Sequence, residues 1–346
     1  MFVKSYKITE PGCFEIFVED IKEDNVLVRP EYLAICKADI RYYLGNRSRT
    51  VLKRKFPMSL VHEGIGIIAR DNGGKFKAGQ RVVMVPCEIA ECDGSKCEKC
   101  VRTYDYLQDN YCPKSSFRSS NADGFSKEMI NVKADYLLPI PDGIGEEAVF
   151  SELISVGCCA LRRAGLWGEK VKEISVWGDG IMGYIIALVA HYGLGAKVNV
   201  IGINREKLRL FDFATVYLAS DISSLPQTAV CIEAVGGNAA AQAINQAIDA
   251  TLSGGTIVLC GVSGENAPVN TRMILEKGLA LLGSTRSNVG DFEKAISLLQ
   301  IDDFRERILR LIEGVDVVDD IRKYYEAFEN ASRSDSLGKR IIKLVF

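Results

Sequence analysis

Long apolar runs are missing from this sequence, and histidine nearly so. No stretch stays apolar for the roughly 18 residues that a membrane-spanning helix needs. The start, Met1-Phe2-Val3-Lys4-Ser5-Tyr6-Lys7, lacks the apolar core of a secretory signal, so a cytoplasmic location is the expectation. Neither sign of charge prevails: 45 acidic residues against 43 basic ones leave a formal net charge of −2. That balance removes the electrostatic case for nucleic acid or an anionic membrane as a partner. Only two histidines occur, His62 and His191, so chemistry that needs imidazole has two candidates. Cysteine is plentiful by contrast, at 11 residues. In a reducing compartment such cysteines serve as metal ligands or catalytic groups more often than as a disulfide framework.

At 346 residues the chain is too long for one ordinary core, and two domains are expected. From Val3 to about Ala34, apolar and polar positions alternate, as in Phe14-Glu15-Ile16-Phe17-Val18, which reads as short strands of an irregular β domain. From about Glu147 to Gly290, helix-like and strand-like segments alternate. Ser175–Trp177, Lys197–Ile201, Val230–Glu233, Thr256–Cys260 and Leu279–Gly283 are the strand candidates. This pattern predicts an α/β fold with a doubly wound parallel sheet. Amphipathic segments at Phe292–Leu299 and Phe304–Glu313 and a closing strand within Leu337–Val345 complete the chain.

The first strand of that sheet runs into Gly178-Asp179-Gly180-Ile181-Met182-Gly183, with the G-x-G-x-x-G spacing, and then into a helical stretch from Tyr184 to Tyr192. Strand, glycine turn and helix in this order form the context of a dinucleotide site. Gly178 would allow the tight turn, Gly180 the approach of a pyrophosphate, and Gly183 close helix–strand packing. The pyrophosphate would lie at the helix N-terminus, against the backbone around Ile181 and Met182.

Ahead of it stand Cys36, followed by Ala38 and Asp39, and then the pair His62-Glu63 before a glycine-bearing strand. Thiolate, imidazole and carboxylate are ligand types that zinc accepts, and a catalytic site uses three protein ligands and leaves one position open. Separately, the residues read as a small buried hydrophobe, a core histidine and a surface charge. A second group, Cys92, Cys97, Cys100 and Cys112, falls where no apolar periodicity is visible and suits a closed structural zinc, with Cys87 as a reserve.

Cys36 with Asp39, His62-Glu63-Gly64-Ile65-Gly66, Phe76-Lys77-Ala78-Gly79-Gln80-Arg81-Val82, Asp123-Gly124-Phe125-Ser126 and the glycine triplet together resemble the zinc-dependent medium-chain dehydrogenase/reductase family. The resemblance covers almost the whole chain. It implies a GroES-like catalytic domain from 1–146 and 291–346, with a zinc lobe at 87–112, and a Rossmann nucleotide domain at 147–290. It also implies a catalytic zinc held by Cys36, His62 and one or both of Glu63 and Glu152. Neighbouring side chains rarely aim at one point, so the two acids are expected to differ in how directly they reach the metal. The family's structural lobe has the pattern C-x2-C-x2-C-x7-C, and the spacing here is longer in two gaps, C-x4-C-x2-C-x11-C. Many members carry Ser or Thr two residues after the catalytic cysteine as the start of a proton relay. Ala38 stands there instead, so protons must travel through water, Glu63, Glu152 or the substrate's own hydroxyls.

NAD-binding members place an acid at the end of the second strand, where this chain has Gly202. With that acid gone, Asn204, Arg205 and Lys207 would accept a 2′-phosphate, and NADP(H) is the expected cofactor. Several runs resemble one bacterial branch, the ribulose-5-phosphate reductases that feed CDP-ribitol synthesis for cell-wall or capsule polymers. They include Asp39–Gly45, Phe56–Gly64, Lys114–Ser120, Asn270–Gly278 and Gly283–Ser287. That branch implies a sugar phosphate substrate, with at least one of Arg41, Arg118 and Arg286 on the phosphate. Tyr42 and Ser116 are candidates for its hydroxyls. Family members commonly form homodimers. The rival readings are an NAD-dependent polyol dehydrogenase of the sorbitol type and a non-catalytic NADPH-binding scaffold.

Overall fold

The computed structural model describes residues 1–88, 108–112 and 114–346. They form two compact units, Met1–Glu152 with Ser287–Phe346, and Leu153–Arg286. Among the described residues, no helix is long and apolar enough to cross a membrane.

The first unit is mostly β. Its main sheet runs Leu137–Pro139, Arg81–Met84, Glu63–Asp71, Val26–Ala34, Lys339–Leu344, Ile312–Val318, with Ile130–Val132 also paired to Val26–Ala34. The register matters most at one row. Ala34 lies opposite Glu63 on one side and Ile341 on the other, so the sequence-distant start of the closing strand is brought beside the strand that begins at Glu63. A smaller sheet holds Phe2–Glu10 between Cys13–Asp20 and Met58–Ser59. The helix Ile321–Arg333 buries Tyr324, Ala327 and Phe328, one helical stripe, against Phe14 and Tyr43. Burying each of these large apolar side chains is worth about 1.5–3 kcal/mol.

The second unit is a six-stranded parallel sheet in the spatial order Thr215–Leu218, Lys197–Gly202, Glu173–Trp177, Thr228–Glu233, Thr251–Leu259, Ala280–Gly283. This is the 3-2-1-4-5-6 order of a Rossmann sheet. Its central strands are buried on both faces, as Val176 and Val200 show on one and Trp177 and Ile201 on the other. The structure differs from the sequence expectation at two strands. Thr215–Leu218 is an edge strand of four residues, and its Val216-Tyr217-Leu218 run is too short and too close to residues 211–214 to stand apart, with its first two side chains exposed. Ile312–Val318 alternates with solvent and follows the helix Asp302–Leu309 so closely that the amphipathic pattern reads on into it.

Glycine is required at the fingerprint for a measurable reason. A Cβ on Gly183 would fall 1.9 Å from the Gly178 carbonyl oxygen, a backbone atom that cannot swing away. Gly183→Ala is therefore expected to lower stability by about 1–3 kcal/mol. Urea denaturation checks this, and an unchanged midpoint would mean that strand and helix separate without cost.

Candidate active site

Cys36 is the N-cap of the helix Lys37–Tyr43, and Asp39 closes the cap reciprocally. The Asp39 amide donates to Cys36 Sγ at 3.4 Å, and the Cys36 amide to Asp39 Oδ2 at 3.1 Å. Asp39 is fully buried and does more than cap. Its Oδ1 accepts from the Val61 amide at 3.1 Å and from the Ser119 hydroxyl at 2.6 Å. Val61 has φ +68°, a conformation that β-branched residues rarely adopt. It is held there by Asp39 and by the Phe125 amide, which donates to its carbonyl at 2.7 Å. Gly124 makes this close approach possible, since a Cβ there would lie 2.2 Å from the Leu60 carbonyl oxygen. The turn delivers His62, whose Nε2 lies 3.8 Å from Cys36 Sγ and whose ring packs on Phe117. The other histidine, His191, belongs to the helix Ile181–Leu194 and lies among Tyr192 and Phe213.

Glu63 is buried, and its Oε2 accepts from Lys339 Nζ at 2.5 Å, the contact that the sheet register prepares. Glu152 begins the helix Ser151–Arg163 and is buried as well. Donor atoms of Cys36, Asp39 and His62 lie within 4.8 Å of one another, and so do those of His62, Glu63 and Glu152. The electrostatics are one-sided. Burial pushes the Cys36 thiol well up, helped by Asp39 and Glu63. Burial would lower the Lys339 ammonium, but Glu63, Cys36 and Glu152 outweigh it and hold the ammonium above its ordinary range. Two buried atoms, His62 Nδ1 and Glu63 Oε1, have no hydrogen-bond partner among the described residues. The two clusters share His62 and have Lys339 paired to Glu63, and a divalent cation is the group this set of three carboxylates, a thiol and an imidazole fits.

In the second unit, the helix Ile181–Leu194 starts at Gly180 without a side-chain cap, which leaves the first-turn amides around Ile181, Met182 and Gly183 without one. A Cβ on Gly180 would meet nothing within 4 Å, so the turn is open to a ligand, and Gly178 has φ +130°. Glu233 ties two strand-end loops together, accepting from the Val235, Gly236 and Gly261 amides. At the end of the second strand, sequence reasoning missed an acid. Asp179 Oδ2 accepts from the Ile203 and Asn204 amides at 2.7 and 2.6 Å, and a Cβ on Gly202 would strike that carboxylate. Asn204 caps the short helix Arg205–Leu208, which carries the exposed Arg205 and also Lys207.

Of the arginines expected near a phosphate, Arg118 donates to Glu88 Oε1 at 2.6 Å, which offsets its charge. Arg41 lies on the helix that Cys36 caps, and Arg286 lies in the second unit with φ +58°. Cys92, Cys97 and Cys100 fall outside the described residues, whereas Cys112 and Cys87 are buried. Sequence reasoning assigned no role to Asp39 or Lys339. The spacing of Asp39, three residues into a helix after a capping residue, is a signal for the first. Nothing local marks the second.

The Glu152 carboxyl is pushed up to about 7, by burial first and also by Glu63 and Asp39, while His62 acts the other way. A carboxyl harder to ionise when folded stabilises the chain fully below its ordinary value of 4.5, and that contribution is lost as pH rises through about 7. Metal-free protein should therefore lose thermal stability between about pH 5 and pH 8, and Glu152→Gln should flatten that slope. Identical slopes in the two proteins would contradict this assignment.

Comparison with known proteins agrees with the geometry. The family model described as "Alcohol dehydrogenase GroES-like domain" matches residues 22–142, and "Zinc-binding dehydrogenase" matches 182–301. The chain is 38% identical to "Ribulose-5-phosphate reductase 1" of Staphylococcus aureus, over 100% of both chains. It is 35% identical to "Ribulose-5-phosphate reductase" of Bacillus spizizenii, over 99% of both. The crystal structure of S. aureus TarJ in complex with NADPH superposes with a TM-score of 0.84 at 33% identity, covering 100% of each chain. The chain thus belongs to the zinc-dependent medium-chain dehydrogenase/reductase family, in its ribulose-5-phosphate reductase branch.

Proposed function

We propose that the protein reduces D-ribulose 5-phosphate to D-ribitol 5-phosphate with NADPH as hydride donor, assisted by zinc. The observation that carries this reading is end-to-end identity of 38% with a ribulose-5-phosphate reductase. The buried donor set supplies the chemistry the reaction needs. Cys36, His62 and Glu152 would hold one catalytic zinc. Glu63, with one oxygen committed to Lys339, would act on it less directly. When bound there, the metal supplies a Lewis acid that polarises a ketone.

The chain's own residues fix the rest. Asp39 orients Cys36 and the turn before His62, so the two donors keep their spacing. Lys339 offsets one of the buried carboxylates. Reduction adds a hydride to the carbonyl carbon and a proton to its oxygen. Ala38 has no hydroxyl to pass that proton, which leaves the carboxyls of Glu63 and Glu152, water, or a substrate hydroxyl as its route. In the second unit, the amides after Gly180 would receive the pyrophosphate, and Asn204, Arg205 and Lys207 the 2′-phosphate. The engagement of Asp179 by two backbone amides supports this choice, because its charge is partly satisfied before a phosphate arrives. A structural zinc on Cys92, Cys97, Cys100 and Cys112, a homodimer and a cytoplasmic location complete the proposal.

NADPH oxidation with a panel of ketose phosphates, with and without a chelator, tests the reading. Cys36→Ser and His62→Ala should lose turnover to background while NADPH binding persists, and near-normal rates in either would end the zinc mechanism. Replacing Arg205 and Lys207 together by Ala should raise KM for NADPH roughly tenfold or more relative to NADH. Equal effects on the two coenzymes would remove these residues from the 2′-phosphate site.

A further inference from the structure

Between Arg47 and Lys55 the chain carries five cations, Arg47, Arg49, Lys53, Arg54 and Lys55, and no acid. Among the described residues, none of the five is within ion-pair distance of a carboxylate. Arg49, Lys53 and Arg54 are exposed, as on any solvated helix face. Arg47 and Lys55 are different. Both are half-buried and turned onto one ring, with Arg47 Cζ 5.3 Å and Lys55 Nζ 5.2 Å from the centroid of the buried Tyr42. Lys55 Nζ also donates to Tyr42 Oη at 2.6 Å and to Ser120 Oγ at 3.3 Å. The Arg47 Nε is buried and has no hydrogen-bond partner among the described residues.

Two cations held against one ring have the ring's face as a partial counter-charge and, among the described residues, no carboxylate within ion-pair distance. An anion would supply the missing counter-charge and give Arg47 Nε an acceptor. Lys55 and Ser120 also line a pocket of about 330 Å³ together with Arg54, Asn121 and Asp123. Asp123, the acid on its wall, is already paired with Lys7 and Lys127.

The cluster is tied to the metal-ligand set through Asp39. Tyr42 follows Asp39 by three residues on the same helix, a rise of about 4.5 Å. Ser120 follows Ser119, whose hydroxyl donates to Asp39. A pentulose 5-phosphate carries its ketone and its phosphate at opposite ends of a short chain, so its phosphate site must stand apart from the metal donors but on elements tied to them, as Tyr42 and Ser120 are through Asp39.

We propose that Arg47 and Lys55, set by Tyr42 and joined by Ser120, form the site that binds the phosphate of the substrate. Arg47 offers a planar fork and Lys55 a point charge, two complementary ways to meet a phosphate. The inference rests on the reading of the protein as a ketose-phosphate reductase and adds the residues that select the phosphorylated sugar.

The test begins with the wild-type enzyme on ribulose 5-phosphate and on ribulose. The ratio of kcat/KM for the phosphate over the free sugar should fall roughly ten- to a hundredfold in Lys55→Gln and in Arg47→Gln, through KM. Lys55→Arg should recover most of the loss. Zinc content and thermal midpoint report whether the variants fold. Ratios within twofold of wild type in both Gln variants overturn the proposal. If the wild-type enzyme shows no preference for the phosphorylated sugar, the functional reading itself fails, and inorganic phosphate then judges the site alone. Thermal protection by phosphate that is present in wild type and lost in Lys55→Gln upholds an anion site. Its absence in wild type, or its persistence in the variant, overturns it.

Discussion

Buried negative charge without a matching positive charge is the constraint on which the first unit depends. Asp39, Glu63 and Glu152 are all buried, and the described cation among them is Lys339. Such a cluster is costly in a low-dielectric interior unless each charge is paired or neutralised. The chain answers in three ways. Asp39 commits its oxygens to two backbone amides and a hydroxyl, Glu63 takes Lys339, and Glu152 stays protonated to an unusually high pH. A divalent cation at the same place would make the third expedient unnecessary, because ionising Glu152 would then complete a ligand set.

Asp39 shows how structure and chemistry share one residue. Its hydrogen bonds fix the start of a helix, a left-handed turn at Val61 and the loop at Ser119, and these three segments carry Cys36, His62 and the Ser120 hydroxyl. Strain at Val61 persists because the surroundings over-determine it. Removing one carboxylate would release all three segments together.

The fold was readable where burial leaves a pattern. Strands buried on both faces leave short β-branched apolar pieces, such as Val198 and Val200-Ile201, and the glycine triplet stands out because backbone contact forbids a Cβ at Gly183. Thr215–Leu218 did not stand out, since a four-residue, partly exposed edge strand shows too short a run to mark a period. The site was readable to the extent that it is local. Cys36 and the His62-Glu63 pair lie in short motifs, but Lys339 reaches Glu63 across 276 residues through strand register, which no single stretch encodes. Asp179 was missed for a related reason. Its carboxylate crosses from the first strand's turn to the end of the second, so the position that lacks an acid in sequence has one in space.

That crossing bears directly on coenzyme choice. An acid at the second strand's end selects NAD because its free oxygens take the ribose hydroxyls and repel a 2′-phosphate. Asp179 stands near the same place, but its Oδ2 is occupied by the Ile203 and Asn204 amides. A carboxylate that has its donors already offers less to a ribose, and the amides it engages offset part of its field. The exposed Arg205 and the neighbouring Lys207 follow on the helix Arg205–Leu208, and in the proposed site they would supply positive charge beside an acid turned to structural use. On the proposed reading, the hydrogen-bonding state of the acid and the cations beside it would decide the cofactor, and counting acids along the strand is not enough.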